Sequence, residues 1–291
     1  MARIALRDGN AMPQLGFGTW QIADAACPEI VGQALRAGYR AIDTAQAHGN
    51  EVGIGEAIRR SGLARGDIFV ISKLANGAHA RDLALASVDQ SLADLGLDRL
   101  DLLLIHWPVP AQDRYVEAWQ ALIELQQQGR VNAIGVSNFE PAHIDRLIGA
   151  TGVVPAFNQV ELHPRFQQRD LRGYHKRHDI RLQSWSPLGP GNGGAAWWAR
   201  FGRAPGESLL ADPAIAAIAE RHGKTPAQIV IRWHIEEGLM LFPKSSHAGR
   251  IAENFDVFDF RLDAEDMYRL EALDDENGRI GAAPGDWNST A

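Results

Sequence analysis

The chain has 291 residues, 36 acidic and 29 basic, for a formal net charge of −7, and a single cysteine, Cys27. One cysteine excludes an intrachain disulfide, and no basic run marks a nucleic-acid face. No stretch approaches the roughly 20 apolar residues that cross a bilayer. The first ten residues carry Arg3, Arg7 and Asp8 without an apolar core, so a secretory leader is not expected. With 45% hydrophobic and 22% charged residues, a chain this long builds a core without disulfides or metals.

In chain order, strands are expected at Leu15–Thr19, Ala41–Thr44, Ile68–Lys73, Leu100–His106, Ala133–Ser137, Ala156–Val160, Ile180–Ser184 and Leu239–Pro243. Several are continuous apolar runs (FVISK, LDLLLIHW), which suit parallel strands covered on both faces. Amphipathic helices lie between them. Arg81–Leu95 places Leu83, Leu85, Val88, Leu92 and Leu95 on one stripe, and Tyr115–Gln128 does the same with Val116, Trp119, Leu122, Ile123 and Leu125. Gly62, Gly96, Gly129 and Gly149 each follow such a run and read as helix stops. The alternation runs evenly to the end, with no G-x-G-x-x-G after an early strand. This predicts an α/β fold of one domain over 1–291, a (β/α)8 TIM barrel rather than a doubly wound sheet. Gly189–Pro205 reads as a long loop after the seventh strand. The adjacent Trp197 and Trp198 argue against a merely solvated insertion there.

Chemistry in such barrels gathers at the C-terminal ends of the strands. The residues that fall there are Asp43, Lys73, His106, Ser137 with Asn138, Gln159 and Lys244. Any one of them is ordinary, because polar residues naturally begin where strands end. Six together, with a lysine and a histidine directly closing apolar runs, mark a site. A lysine in apolar surroundings needs a partner to keep its charge, and Asp43 is the natural one. An Asp43–Lys73 pair beside His106 is the expected polarised centre.

GYRAIDTAQAHGNE (Gly38–Glu51) resembles the signature of the aldo-keto reductases. SKL (Ser72–Leu74), LLLIHWP (Leu102–Pro108), IGVSNF (Ile134–Phe139), NQVELHP (Asn158–Pro164) and FPKSS…RIAENFDVFDFRL (Phe242–Leu262) match that family in order and spacing. ATGVVPAFNQVELHP, GKTPAQIVIRWH and ENFDVFDF are similar to its bacterial 2,5-diketogluconate reductase branch. The resemblance covers nearly the whole chain. It implies the same barrel, NADPH as cofactor, and reduction of an aldehyde or ketone, keto-sugar acids among them. It also implies a small-molecule partner and a cytoplasmic monomer, with no nucleic acid, membrane or metal.

The family's catalytic tetrad is Asp, Tyr, Lys and His. Carried over, three members are Asp43, Lys73 and His106. The fourth position, where the family has a proton-donating Tyr, is His48, in A-H-G-N-E where the family reads Y-G-N-E. A tyrosine titrates near ~10 and a nearby Lys⁺ draws that down; imidazolium, near ~6.5, is a stronger acid, but Lys73 at close range disfavours it. Three roles follow for the site. His48 acts as an altered acid or oxyanion donor, His106 takes over, or carbonyl reduction is impaired while activated acceptors such as quinones still react.

The resemblance further implies that Ser137, Asn138 and Gln159 bond the nicotinamide amide and that Trp185 stacks on its ring. It places Ser186, Leu188 and Gly189 at the pyrophosphate, with Gly18 and Thr19 alongside. Lys244, Ser245 and Arg250 would hold the 2′-phosphate, with Asn254 by the adenine. Trp20 and Trp107 would wall the substrate pocket beside His48 and His106, and the polar tail Arg279–Ala291, with Trp287, would close over the mouth. His247 stands where the family often has a further basic residue. Two other readings compete: Lys73 as a Schiff-base lysine of a barrel aldolase, and a nucleotide-binding sensor that holds NADPH without turnover. The spacings of His163, His175 and His178 are not those of a zinc site.

Overall fold

A computed structural model describes residues 3–5, 11–189 and 208–289. A short antiparallel hairpin, β1 (Arg3–Ala5) with β2 (Ala11–Pro13), precedes the barrel. It is absent from the expectations above, because three-residue strands are too short to show a period. Eight parallel strands follow in sequence order: β3 (Phe17–Gly18), β4 (Ala41–Asp43), β5 (Phe69–Leu74), β6 (Leu100–Ile105), β7 (Val131–Ser137), β8 (Phe157–Glu161), β9 (Arg181–Trp185) and β10 (Met240–Leu241). The first and last meet at a seam. Gly16 N donates to Leu241 O at 2.9 Å and Leu241 N to Gln14 O at 3.0 Å. The Gln14 amide adds bonds to Ile235 O at 2.9 Å and Leu239 O at 3.0 Å. The expected (β/α)8 barrel is therefore the observed fold.

Its interior is filled, not hollow. Met12, Ala41, Ile71, Leu102, Leu104, Ala133, Phe157, Met240 and Phe242 form one buried cluster inside the strands. The hairpin thus contributes Met12 to the barrel's contents. A larger apolar layer joins strands to the surrounding helices. These are α1 (Cys27–Ala37), α2 (Glu51–Arg60), α3 (Arg81–Leu95), α4 (Tyr115–Gln127), α5 (Pro141–Thr151), α6 (Arg169–His178), α7 (Pro213–His222), α8 (Pro226–Glu236), α9 (Ala248–Phe255) and α10 (Ala264–Glu271). None of the described helices is long and apolar enough to cross a membrane.

Two helix details correct the sequence reading. The buried face of α3 is Ala84, Val88, Ser91, Leu92 and Leu95, while Leu83 is exposed. Small residues let this face sit close to α2, where a Cβ on Gly55 would lie 2.3 Å from Leu95 O. Gly149 does not stop α5. The helix runs through Thr151 and ends on Gly152 in the left-handed region, φ +71°. Gly62, Gly96 and Gly129 do follow helix ends with positive φ. Trp197, Trp198 and the stretch 190–207 lie outside the described residues.

Candidate active site

Asp43 ends β4 and Lys73 is the penultimate residue of β5, two residues beyond the Ile71 that pairs with Asp43. Lys73 therefore reaches back across the strand end. Its Nζ donates to Asp43 Oδ1 at 2.9 Å, Asp43 Oδ2 at 2.8 Å and Thr44 O at 2.9 Å. Three acceptors match three ammonium protons, so this buried pair is internally satisfied. Gln159 Nε2 also donates to Asp43 Oδ1, at 2.8 Å. Gln159 is not the last residue of its strand, since β8 continues to Glu161.

The loops after β4 and β5 are stitched beneath this pair. Asn50 accepts from Thr44 Oγ1 at 2.7 Å and donates to Thr19 O and Ile22 O, both at 3.0 Å. Glu51 accepts from Ser72 Oγ at 2.6 Å and from Ser91 Oγ at 2.9 Å, and burial raises its pKa. The G-N-E segment is thus a structural brace behind Lys73. Gln46 ties the turn carrying His48 to α3 through Ser91 Oγ at 2.9 Å and accepts from Ala75 N at 2.8 Å.

His48 and His106 face one another with ring centroids 6.2 Å apart and planes at 74°. His48 Nδ1 is enclosed and has no hydrogen-bond partner among the described residues. Burial, then the Lys73 charge, then His106 hold His48 well below the usual imidazole range. Burial and Lys73 push His106 down to about 3. Burial is the larger cause for both rings, ahead of the Lys73 charge expected to act on His48. Both imidazoles are neutral at pH 7.

Above them lies a polar network. Asn138, in the left-handed region at φ +63°, donates to His106 O and to Ser137 Oγ, both at 3.0 Å, and its Oδ1 accepts from the Trp185 indole at 2.8 Å. Ser137 Oγ donates to Gln159 O at 2.9 Å. The Trp185 ring is therefore held in orientation from below. Thr19 Oγ1 donates to Asp43 O at 3.0 Å. Gly18 has no room for a side chain, since a Cβ there would sit 2.8 Å from Phe242 O.

All nineteen site residues named from the sequence line one cleft of about 1500 Å³. The tetrad positions line it together with Trp20, Trp107 and Trp287, with Gly18, Thr19, Ser186, Leu188 and Gly189, and with Lys244, Ser245, Arg250 and Asn254. Among the described residues neither Lys244 nor Arg250 is paired with a carboxylate. Partial burial lowers the Lys244 pKa. Asn76, Thr225 and Glu253 also line the cleft and were not foreseen. Asn76, just past β5, was open to the same strand-end argument that found Lys73. Thr225 Oγ1 donates to Glu253 Oε1 at 2.8 Å, a pairing across helices that carries no sequence signal. The three histidines whose spacings do not suit zinc have structural contacts: His163 lies 3.3 Å from Glu161, His175 bonds Asn158 at 2.9 Å, and His178 stacks on Tyr174.

A barrel with a buried lysine–aspartate pair at its strand ends and two imidazoles in the same cleft points to a class of oxidoreductase, and comparison with known proteins agrees. Residues 14–275 match the model of the aldo/keto reductase family. The chain is 49% identical to an aldo-keto reductase of Mycolicibacterium smegmatis, over 99% of this chain and 98% of that protein. It is 47% identical to methylglyoxal reductase DkgA of Escherichia coli, over 97% and 96%. Among solved structures it is similar to a mutant of Gox0644 in complex with NADPH, at 45% identity, TM-score 0.89 and 98% of both chains. It is also similar to the Bombyx mori aldo-keto reductase AKR2E4 in complex with NADP, at 34% identity, TM-score 0.83, covering 94% of this chain and 92% of that one. The chain belongs to the aldo/keto reductase family.

Proposed function

We infer that this chain is an NADPH-dependent carbonyl reductase whose proton-donating position is occupied by an imidazole. The carrying observation is the buried Asp43–Lys73 pair and two facing histidines lining one cleft that Lys244 and Arg250 also line. The residues fit the cofactor. Two cations without carboxylate partners among the described residues and the Ser245 hydroxyl suit a phosphate. An indole held by Asn138 offers a flat platform. When bound, NADPH supplies the hydride.

The protein's own groups then handle the proton. Lys73 has its three protons committed to Asp43 and Thr44 O, so it acts as a fixed positive field and not as the donor. His48 and His106 are left to bond the carbonyl oxygen as neutral N–H donors, and the alkoxide takes its proton from solvent water. Hydrogen bonding without proton transfer stabilises a developing alkoxide less than a positioned acid does. Carbonyls whose reduced oxygen is already stabilised, such as 2-oxoaldehydes and quinones, are therefore favoured over simple ketones. The relative named as a methylglyoxal reductase supports a small dicarbonyl substrate.

A second reading, an NADPH-holding protein of very low turnover, rests on the same neutral imidazoles. NADPH oxidation measured from pH 5 to 9 with a keto acid, an aldehyde and a quinone separates the two. Binding without oxidation by any of them supports the second and refutes the first. We further read 1–291 as one domain, acting as a cytoplasmic monomer on small molecules. The single, unpaired cysteine Cys27 fits a reducing compartment and supports the cytoplasmic reading. Gel filtration checks the monomer.

A further inference from the structure

Glu161 is a buried carboxylate that the proton chemistry does not use. It ends β8, pairs in register with Trp185 on β9 and is 1% exposed. Its Oε1 accepts from Ile280 N, and its Oε2 from Gly281 N at 2.7 Å; His163 Nε2 lies 3.3 Å from Oε1. Two consecutive backbone N–H groups on one carboxylate make a two-point clamp. Losing them would leave a buried carboxylate with only an imidazole beside it, an arrangement strongly disfavoured. Gly281 fits against both the Glu161 carboxylate and the Trp185 ring. A Cβ there would lie 2.6 Å from Trp185 Cη2 and 3.1 Å from Glu161 Oε2. Beside it the Arg279 guanidinium sits 4.6 Å over the Phe166 ring.

Beyond the clamp the tail crosses the mouth. Trp287 packs on Trp107 with centroids 5.0 Å apart and planes at 31°. Asn288 Oδ1 accepts from Ala111 N, and Ser289 O accepts from Asn76 Nδ2, both at 2.9 Å. Trp107, Trp185 and Trp287 all line the cleft.

We propose that Glu161 is a specificity-determining positioning residue: by fixing residues 280–281 against Trp185, it sets where Trp287 meets Trp107 and hence how wide a carbonyl the mouth admits. This rests on the cleft being the carbonyl-reducing site. The close indole pair gives a coupled circular-dichroism signal that needs no turnover. In Glu161→Gln the amide turns a donor toward a backbone N–H and opens the clamp. In Gly281→Ala the added methyl displaces the tail while leaving the carboxylate in place, so it carries the test if the first variant does not fold. Both variants are expected to lose the Trp107–Trp287 signal and to change KM for a bulky aromatic ketone about tenfold, the equivalent of one weakened wall contact. Glu161→Gln keeps kcat for the small 2-oxoaldehyde methylglyoxal within about twofold; Gly281→Ala, whose methyl also meets the Trp185 ring, is read on the indole signal and the KM ratio. Folded variants that keep the indole signal overturn the proposal. So does loss of the signal with the KM ratio of the two substrates unchanged. A parent that oxidises no NADPH would instead refute the reductase reading, with the indole signal still measurable.

Discussion

Replacing His48 by tyrosine tests the electrostatics of the site most directly. With His106 at about 3, its protonated fraction at pH 7 is about 10⁻⁴, and His48 is depressed by the same burial and the same Lys73 charge. A positioned acid is worth about 10²–10⁴ in rate. A phenol, near ~10 when free and drawn down by Lys73, is still protonated at neutral pH. His48→Tyr is therefore expected to raise kcat/KM for an unactivated ketone by about 10²–10³ at pH 7, or roughly 3–4 kcal/mol of barrier. A quinone should gain less than about threefold, because its reduced oxygen needs little help. The pH profiles carry the sign. A donor with a lowered pKa is protonated only in acid, so the parent rate climbs as pH falls below 7. The variant is flat through neutrality and declines only as the phenol ionises. Initial rates of NADPH oxidation, followed by the loss of nicotinamide absorbance with saturating cofactor, measure both. A parent that is flat from pH 6 to 8, with a variant no faster on ketones, would show that the neutral imidazole is already a competent donor and would refute this account.

Three further outcomes are expected. His79 is fully buried with both ring nitrogens unpartnered among the described residues, and burial holds it at about 4 against 6.5 when unfolded; His175 and His234 behave alike. The unfolded chain then binds more protons between those values, so stability is intact above pH 6.5 and falls as the solution is acidified. His79→Leu should recover about 2 kcal/mol at pH 5, seen as a higher urea midpoint, and an unchanged pH dependence would count against it. Asp43→Asn leaves Lys73 buried without its counter-charge and should cost about 3–5 kcal/mol in urea unfolding. Arg250→Ala should raise the NADPH Kd about 10–100-fold in a fluorescence titration while leaving NADH within about twofold; equal effects on both would remove Arg250 from the phosphate site.

The barrel was legible because its signals are repeated and local. LDLLLIHW and FVISK can be covered on both faces only in a parallel sheet, and Gly96 and Gly129 stop their helices where the apolar period ends. Gly149 misled because an apolar run ended there while the backbone ladder continued to Thr151. Leu83 misled because the face α3 buries carries the small Ala84 and Ser91 beside Val88, Leu92 and Leu95, and small or polar residues weaken an apolar stripe. Asp43, Lys73 and His106 could be read from strand ends, since each closes an apolar run. The brace of Asn50 and Glu51, the Thr225–Glu253 pair and the Glu161 clamp could not. Each joins residues far apart in sequence through one side-chain carboxyl or amide, and a single polar residue carries no period. The low pKa of His48 was legible in direction from Lys73, but its main cause, burial, exists only in the fold.

The seam between β3 and β10 gives ligand binding a second consequence. Closing the ring joins Gly16 to Leu241, contacts that span most of the chain, so loop-closure entropy makes this a costly and late step of folding. Gly18 and Thr19 stand on one side of that seam and Lys244, Ser245 and Arg250 on the other. A ligand gripped by both sets bridges the join from outside, and its binding free energy is added to barrel closure. For this protein, the cofactor supply then bears on how long each molecule survives as well as on how fast it works.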